Sequence, residues 1–381
     1  MKIWQKRQWK LFEYPLYVVG LSLFPPLVLY ALNLGEASLS SLWRPVGFSF
    51  LFALLVFGVT YFFNRKLQAA GLIAVVALIP VYLYGHLYLL LKNKTLFGLF
   101  LDSHSVFFPV FMFGFIFLTV LLIKGGKDLL KLHQILNIVF LSLIVFQLVL
   151  IIPYEVQSAF AHQRQKKIGI EYNEQKSEIQ PRDIYLIVLD SYMRSDWLLD
   201  NLDVNNDEFI QALESLGFFV GDCSRSNYSY TLQSMTSELN MNYLEDLGLE
   251  MNNLDLSAAL KNSAVRKVLE NEGYELVFFE TGYPWIEMTD ADRFIELDET
   301  AAWNAFEVMF LETTLFKIPY DYYLQNTVDL SIEDRLIHDR AVNIETSFNQ
   351  LNPSLRNDAP MFVYAHIISP HTPYLFTSSG N

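Results

Sequence analysis

Charge is scarce in this chain. Of its 381 residues only 18% are Asp, Glu, Lys or Arg, against about 25% in an ordinary soluble domain. The shortage is concentrated in five stretches of 19 to 23 residues, at 15–34, 45–63, 69–91, 105–123 and 135–153, which hold no charged residue at all. An ordinary cytosolic domain is thereby excluded. Cysteine is almost absent: Cys223 stands alone, which rules out an intrachain disulfide and any CxxC metal site, and it reads as a small buried residue. Basic charge is thin after residue 159. Residues 160–381 carry 15 Lys and Arg against 36 Asp and Glu, whereas residues 1–159 carry 12 against 5. An acidic surface of that size repels phosphate backbones, and no basic stripe is present, so nucleic acid is not an expected partner. No internal repeat or low-complexity tract occurs.

What is present divides in two. Each uncharged stretch is long enough to span a hydrocarbon core of about 30 Å as a helix, the form in which a backbone satisfies its own hydrogen bonds inside a bilayer. The first stretch is too long for a cleavable leader and carries Pro25 and Pro26 in its middle, where a kink is expected. Positive charge orients the bundle. Lys2, Lys6, Arg7, Lys10, Arg65, Lys66, Lys124, Lys127 and Lys131 fall on one side, nine in all, against six on the other, Arg44, Lys92, Lys94, Arg164, Lys166 and Lys167. The N-terminus is therefore expected inside, and five crossings place everything after residue 155 outside. His86, in the third stretch, reads as either a polar contact within the bundle or an interfacial group beside a belt of Tyr82, Tyr84 and Tyr88.

The expected organisation is a five-helix transmembrane domain over 1–156, a polar linker over 157–182 whose start (160–167) continues the fifth helix, and an α/β domain over 183–381. The apolar, β-branched run at 184–189 reads as a buried parallel strand. Residues 206–216 read as a helix stopped at Gly217, 218–220 as a short strand, 258–271 as a helix ending at Gly273, 274–279 as a strand, 331–351 as a helix and 361–368 as a strand. Alternating strands and helices imply a largely parallel sheet, whose ligands gather at the carboxyl ends of its strands.

Three places there could carry chemistry. Asp190 directly follows the first strand; it reads as a metal ligand or as a cap on the next turn. Ser226–Ser234 is a polar loop leading into a helix that runs to about Asn240, and its hydroxyls read either as an N-cap or, at Thr231 or Ser229, as a nucleophile facing the positive end of the helix. His371 lies in a Pro-His-Thr-Pro-Tyr turn after the last strand, where Pro370 and Pro373 hold it outward to bind an ester oxygen or to protonate a leaving group. His366, inside that strand, reads as a packed or hydrogen-bonded residue, with a ligand role open. Arg194 and Asp196 orient Asp190 or form a surface ion pair. Trp285 and Trp303 line a groove, pack in the core or face a membrane.

The combination of five N-terminal apolar stretches, a polar tether and the segments PRDIYLIVLDSYMRSD, NYSYTLQSMTSELNM and FVYAHIISPHTPYLF resembles the sulfatase-like branch of the alkaline phosphatase superfamily, with the layout of the lipoteichoic acid synthase type. The motifs lie within 181–376. The resemblance implies a multi-pass α-helical membrane domain followed by an α/β sulfatase/alkaline phosphatase-like domain. It implies Asp190 and Thr231 as ligands of a divalent metal (Mn, Mg, Ca or Zn), Thr231 as nucleophile with Ser229 as the alternative, and His371 as the histidine at the substrate or leaving group. The expected substrate is a phosphate or sulfate ester of a lipid or envelope polymer, and the expected surroundings are the lipid bilayer and the cell envelope.

Two departures qualify the resemblance. Cys223-Ser224-Arg225-Ser226-Asn227 lacks the Pro or Ala and the Arg of a formylglycine motif, so an unmodified threonine and phosphoryl-ester chemistry are favoured. The family's later Asp-His-Gly metal motif is also missing: no Asp-His pair occurs, and the sequence stops ten residues past His371. The domain is thus expected to be incomplete at its C-terminus, the front part of an enzyme and inactive as it stands. The alternative is a non-catalytic membrane protein whose outer domain binds an envelope partner. A five-helix transporter is disfavoured, because the stretches offer no charged ion path.

Overall fold

A computed structural model describes residues 13–91, 94–96, 99–100, 103–124, 129–167, 181–249, 252–297, 303–327, 332–351, 359–372 and 374–376. By compactness the chain forms two units, Met1–Val156 with Ala301–Ile332, and Gln157–Thr300 with Glu333–Asn381.

In the first unit every uncharged stretch is helical: α1 (Leu16–Leu32), α2 (Trp43–Asn64), α3 (Leu67–Leu91), α4 (His104–Lys124) and α5 (Leu129–Lys167). Three helices, Leu39–Asn64, Leu67–Leu91 and Lys131–Arg164, are long and apolar enough to cross a membrane, and Leu16–Leu32 and His104–Phe117 are shorter apolar helices. Their burial is inverted relative to a soluble bundle. Leu51, Leu55, Phe63, Phe113 and Val149 are exposed, which water penalises and lipid does not. Inside, small residues let the helices close up: Ser49, Ala53, Ala70 and Ala74 are buried, and a β-carbon on Gly20 would meet Phe140 at 2.7 Å. Tyr82, Tyr84 and Tyr88 turn inward and are buried while His86 is exposed, so these tyrosines do not form the expected belt around it. The reason is local: Tyr84 and Tyr88, one turn apart on α3, pack together against Phe107 of α4.

A second finding is that residues 303–327 group with these helices rather than with the acidic domain whose sequence surrounds them. They form α11 (Ala305–Thr313) and α12 (Lys317–Thr327), an element pair that periodicity did not reveal. Asn304 and Glu307 make a reciprocal capping box at the start of α11. Phe306 and Phe310 join the bundle core, with Phe306 edge-on to Tyr30 at 6.0 Å. The Leu315 N–H donates to the Val81 carbonyl at 2.7 Å, and a β-carbon on Gly85 would collide with the backbone of Glu312–Thr314. Glu307 pairs with Arg44 at 3.1 Å. All these partners lie at one end of the bundle: the last turn of α1, the first of α2, the second half of α3.

The second unit is built on a four-stranded parallel sheet. Its elements are β1 (Ile184–Leu189), α6 (Ser195–Leu202), α7 (Asp207–Ser215), α8 (Thr231–Leu239), α9 (Asn253–Lys261), α10 (Ala264–Asn271), β2 (Glu275–Phe279), β3 (Arg293–Ile295), α13 (Ile332–Gln350) and β4 (Met361–Ile367). The strand order is β1-β4-β2-β3, with Leu189 opposite Ile367 and Val277 opposite Val363. Alternation along β2 and β4 feeds two cores. Leu276, Phe278, Phe362 and Tyr364 pack against α8 and α9, whereas Val277, Phe279, Val363 and Ala365 share the other face with Ile344 of α13.

Several expectations are corrected here. Strand β1 has the foreseen limits, but among the described strands it lies at the edge of the sheet, and Ile184, Tyr185 and Ile187 are exposed. A run of branched residues specifies a strand, not its place in the sheet. Residues 218–220 are not a strand: no described strand lies beside them, and Phe219 is exposed. The expected helix at 258–271 is two helices, because Ser263 accepts from Arg266 N–H and starts a new one. The turns at Gly217 and Gly273 take φ of 89° and 82°, the region glycine enters without a Cβ clash.

Candidate functional site

The sheet brings two of the singled-out segments side by side. Because Leu189 is level with Ile367, β1 and β4 end together, and the Asp190 N–H donates to Ile367 O at 2.9 Å. Ser191, next along, is held at φ 65°, a left-handed conformation that costs a non-glycine residue about 1 kcal/mol or more and that clusters at functional sites.

Thr231 comes from the other side. The loop before it is fixed by its own side chains. The Ser226 and Ser234 hydroxyls both donate to Tyr228 O, at 2.6 and 2.8 Å, and Tyr228 OH donates to Glu245 at 2.6 Å while accepting from Leu244 N–H. Helix α8 then begins at Thr231 itself. Tyr230 occupies the N-cap and makes no side-chain cap, so the capping explanation for Thr231 falls away. Its hydroxyl instead donates to Asp190 Oδ1 at 3.3 Å, among the free N–H groups of the first helical turn. Ser229 is exposed in the preceding loop.

Beneath this pair lie His366, for which the sequence left a ligand role open, and Tyr364, which it did not single out. His366 and Tyr364 occupy alternate positions of β4 and so share a face. The His366 side chain is 0% exposed and its Nε2 is 3.8 Å from Asp190 Oδ1, beyond a hydrogen bond. Both of its ring nitrogens, and the Tyr364 hydroxyl, are buried without a hydrogen-bond partner among the described residues. Each such group left open costs about 1–3 kcal/mol. Burial pushes the Tyr364 phenol up, and the charges of Glu238 and Asp190 push it the same way. Burial also works against the Asp190 carboxylate, but His366, then the charge of His371 and the Thr231 hydroxyl, outweigh it and hold the carboxyl below the usual range. The legible signal was a histidine and a tyrosine two apart on one face of an otherwise apolar strand.

His371 is half-buried in the turn after β4, and its Nδ1 contacts Thr372 O at 2.8 Å. A carbonyl only accepts, so Nδ1 carries the proton and Nε2 is the nitrogen turned to other work.

The other candidates lie apart from this cluster. Arg194 and Asp196 form a bidentate pair with each other, at 2.7 and 2.6 Å; the Arg194 hydrogen bond takes the exposed Asp196 carboxyl down to about 2. Cys223 is exposed, not buried as expected, since it lies in a surface loop whose residues 222–227 are all exposed. Trp285 packs on Tyr283 with ring centroids 4.8 Å apart, at the margin of a core. Trp303, in the other unit, sits 5.8 Å from the Arg44 guanidinium.

The donor set bears on metal binding. Asp190 Oδ1, Thr231 Oγ1 and His366 Nε2 are donors that divalent cations accept. Their separations from the shared carboxylate oxygen, 3.3 and 3.8 Å, are close to the roughly 3.4 Å edge made by ligands at about 2.1 Å around a tetrahedral centre. They fit one part of a coordination shell. Among the described residues no group of three or more His, Cys, Asp or Glu side chains comes together to complete one.

No family model, curated protein or solved structure matches this chain. The functional reading therefore stands on the geometry and on the motif resemblance.

Proposed function

We propose that the chain is a membrane-anchored, extracytoplasmic phosphoryl-ester hydrolase or transferase of the sulfatase-like class, acting on phosphate (or sulfate) esters of lipids or envelope polymers. Five helices anchor it with the N-terminus inside. In support, residues 303–327 pack on the end of the bundle that this topology turns outward, together with Tyr30, Arg44 and Val81.

The observation that carries the reading is the Asp190–Thr231 contact at a helix N-terminus and two strand ends, with the unpartnered His366 beneath it. Thr231 Oγ attacks phosphorus in line and releases its proton to water. The bond from phosphorus to the leaving alcohol breaks, and the alcohol oxygen takes a proton from the His371 imidazolium. Water or an acceptor alcohol then cleaves the Thr231 ester and restores the hydroxyl. The free N–H groups of α8 stabilise the equatorial oxygens. Asp190 and Thr231, with His366, would hold a divalent cation, whose chemistry is to lower the threonine's pKa and to screen phosphate charge.

The test is to incubate the full chain with zinc or manganese and bis(p-nitrophenyl) phosphate, then to map phosphorylation by tandem mass spectrometry. A p-nitrophenylphosphoryl adduct on Thr231, formed with release of one p-nitrophenol and lost in Thr231→Ala, supports the reading. Absence of both phosphorylation and cation binding would favour the second reading, a non-catalytic outer domain that binds an envelope partner. That alternative rests on the incomplete donor set among the described residues.

A further inference from the structure

We propose that Arg340 is a positioning residue that grips the turn carrying His371 and so aims its imidazole. The proposal rests on the reading of His371 as the histidine that faces the substrate.

Arg340 lies on α13, about thirty residues before the turn and outside every motif. Its guanidinium nonetheless spans the turn. Nη2 donates to Ile368 O at 3.0 Å and to His371 O at 3.1 Å, and Nη1 donates to Thr372 O at 3.2 Å. The three carbonyls flank Pro370 on both sides. The need for such a grip follows from the sequence: Pro370 and Pro373 have no N–H, so the turn is poor in donors of its own. A planar, permanently charged fork with five N–H groups satisfies several carbonyls at once. Thr372 O is the telling atom, because it accepts from Arg340 Nη1 and lies 2.8 Å from His371 Nδ1. The carbonyl that sets the tautomer and tilt of the imidazole is itself held by Arg340, much as outer groups orient a metal-bound histidine. Lysine, a single nitrogen on a flexible stem, cannot span three carbonyls.

The experiment compares wild type, Arg340→Ala and Arg340→Lys as full chains in detergent, by amide hydrogen exchange and by hydrolysis of bis(p-nitrophenyl) phosphate with zinc. In both variants exchange in peptides covering 368–376 is expected to rise about tenfold or more, while peptides of β1, β2 and α8 stay as in wild type. In both, kcat is expected to fall about tenfold with KM little changed, as for a group that only orients. Ethylguanidinium is expected to restore the turn's protection in Arg340→Ala and not in Arg340→Lys, whose side chain fills the space. Unchanged turn exchange in both variants overturns the proposal. So does exchange raised equally across the sheet, or a turn that ethylguanidinium leaves unprotected. A wild type that hydrolyses nothing, with turn protection still dependent on Arg340, overturns the phosphoryl-transfer reading and leaves the grip standing.

Discussion

Two histidines, one in each unit, are treated in opposite ways. In the helical unit His104 is satisfied on both sides: Nδ1 meets Tyr84 OH and Nε2 meets Asp321 Oδ2, each at 2.8 Å. Asp321 in turn pairs with the buried Lys317 at 3.1 Å. In the α/β unit His366 is more deeply buried and satisfied on neither side, and Tyr364 beside it shares that condition. A polar cluster whose members pair with one another holds elements together, here α12 to α3 and α4. A cluster whose members are left open, at the ends of parallel strands, holds unmet hydrogen-bonding capacity that a ligand can meet. The contrast bears on the candidate site alone, for the helical unit keeps an orphan of its own in the buried Ser49 hydroxyl.

The strongest way to sharpen the contrast is to remove the groups that the open cluster presents. Thr231→Ala and Asp190→Ala should each lower hydrolysis of a phosphodiester about a thousandfold or more, since nucleophile and activating partner act as a unit. Thr231→Ala should leave the thermal midpoint of the α/β unit nearly unchanged, because the contact it loses is long, and Asp190→Ala should lower it only slightly. Steady-state kinetics beside circular dichroism melts checks this. A large loss of stability without a loss of activity would make the pair scaffold.

The next test sets the two histidines against each other. His104→Leu leaves Asp321 short of a partner and the Tyr84 hydroxyl unpaired, and should destabilise the helical unit by about 2 kcal/mol. His366→Leu removes two nitrogens that had no partner. Because it also removes the imidazole that most favours the Asp190 carboxylate, it should cost no more than about 1 kcal/mol, yet weaken zinc binding about tenfold or more by removing a donor. Thermal unfolding in detergent and calorimetric zinc titration measure both quantities. Equal destabilisation by the two substitutions would break the comparison.

What the sequence disclosed follows the same division. The helices were legible because an uncharged run of some twenty residues has few alternatives, and β1 was legible to the residue at both ends. The edge position of β1 was not, because neighbours are chosen by tertiary pairing. Helices α11 and α12 escaped notice because the aromatic residues on α11, Phe306 and Phe310, and Phe316 in the turn between the two, answer to the bundle rather than to a face of their own. Three-residue β3 is too short for any period to appear. At the site, Asp190, Thr231 and His371 were visible through a strand end, a helix start and a proline-framed turn. The unmet state of His366 and the reach of Arg340 were not, since both depend on which atoms are left over once distant segments have packed.

The smallest effect concerns Asp190 and pH. Burial raises its carboxyl, but His366, His371 and Thr231 together bring it below the ordinary aspartate range. A carboxyl lowered by folding contributes stability that is fully present above the unfolded-state value of about 3.9, and that is lost as pH falls through the lowered folded value. The stability gap between wild type and Asp190→Asn should therefore be present at about pH 5 and above and close below about pH 4. Zinc should widen the gap at the upper end, because the cation binds the same charged oxygen from which protons displace it. Thermal melts of both proteins over that range, with and without zinc, measure the gap. A gap that stayed open well below about pH 4 would mean that the neighbouring imidazoles and hydroxyl do not govern Asp190, and the candidate site would lose the charge assigned to it.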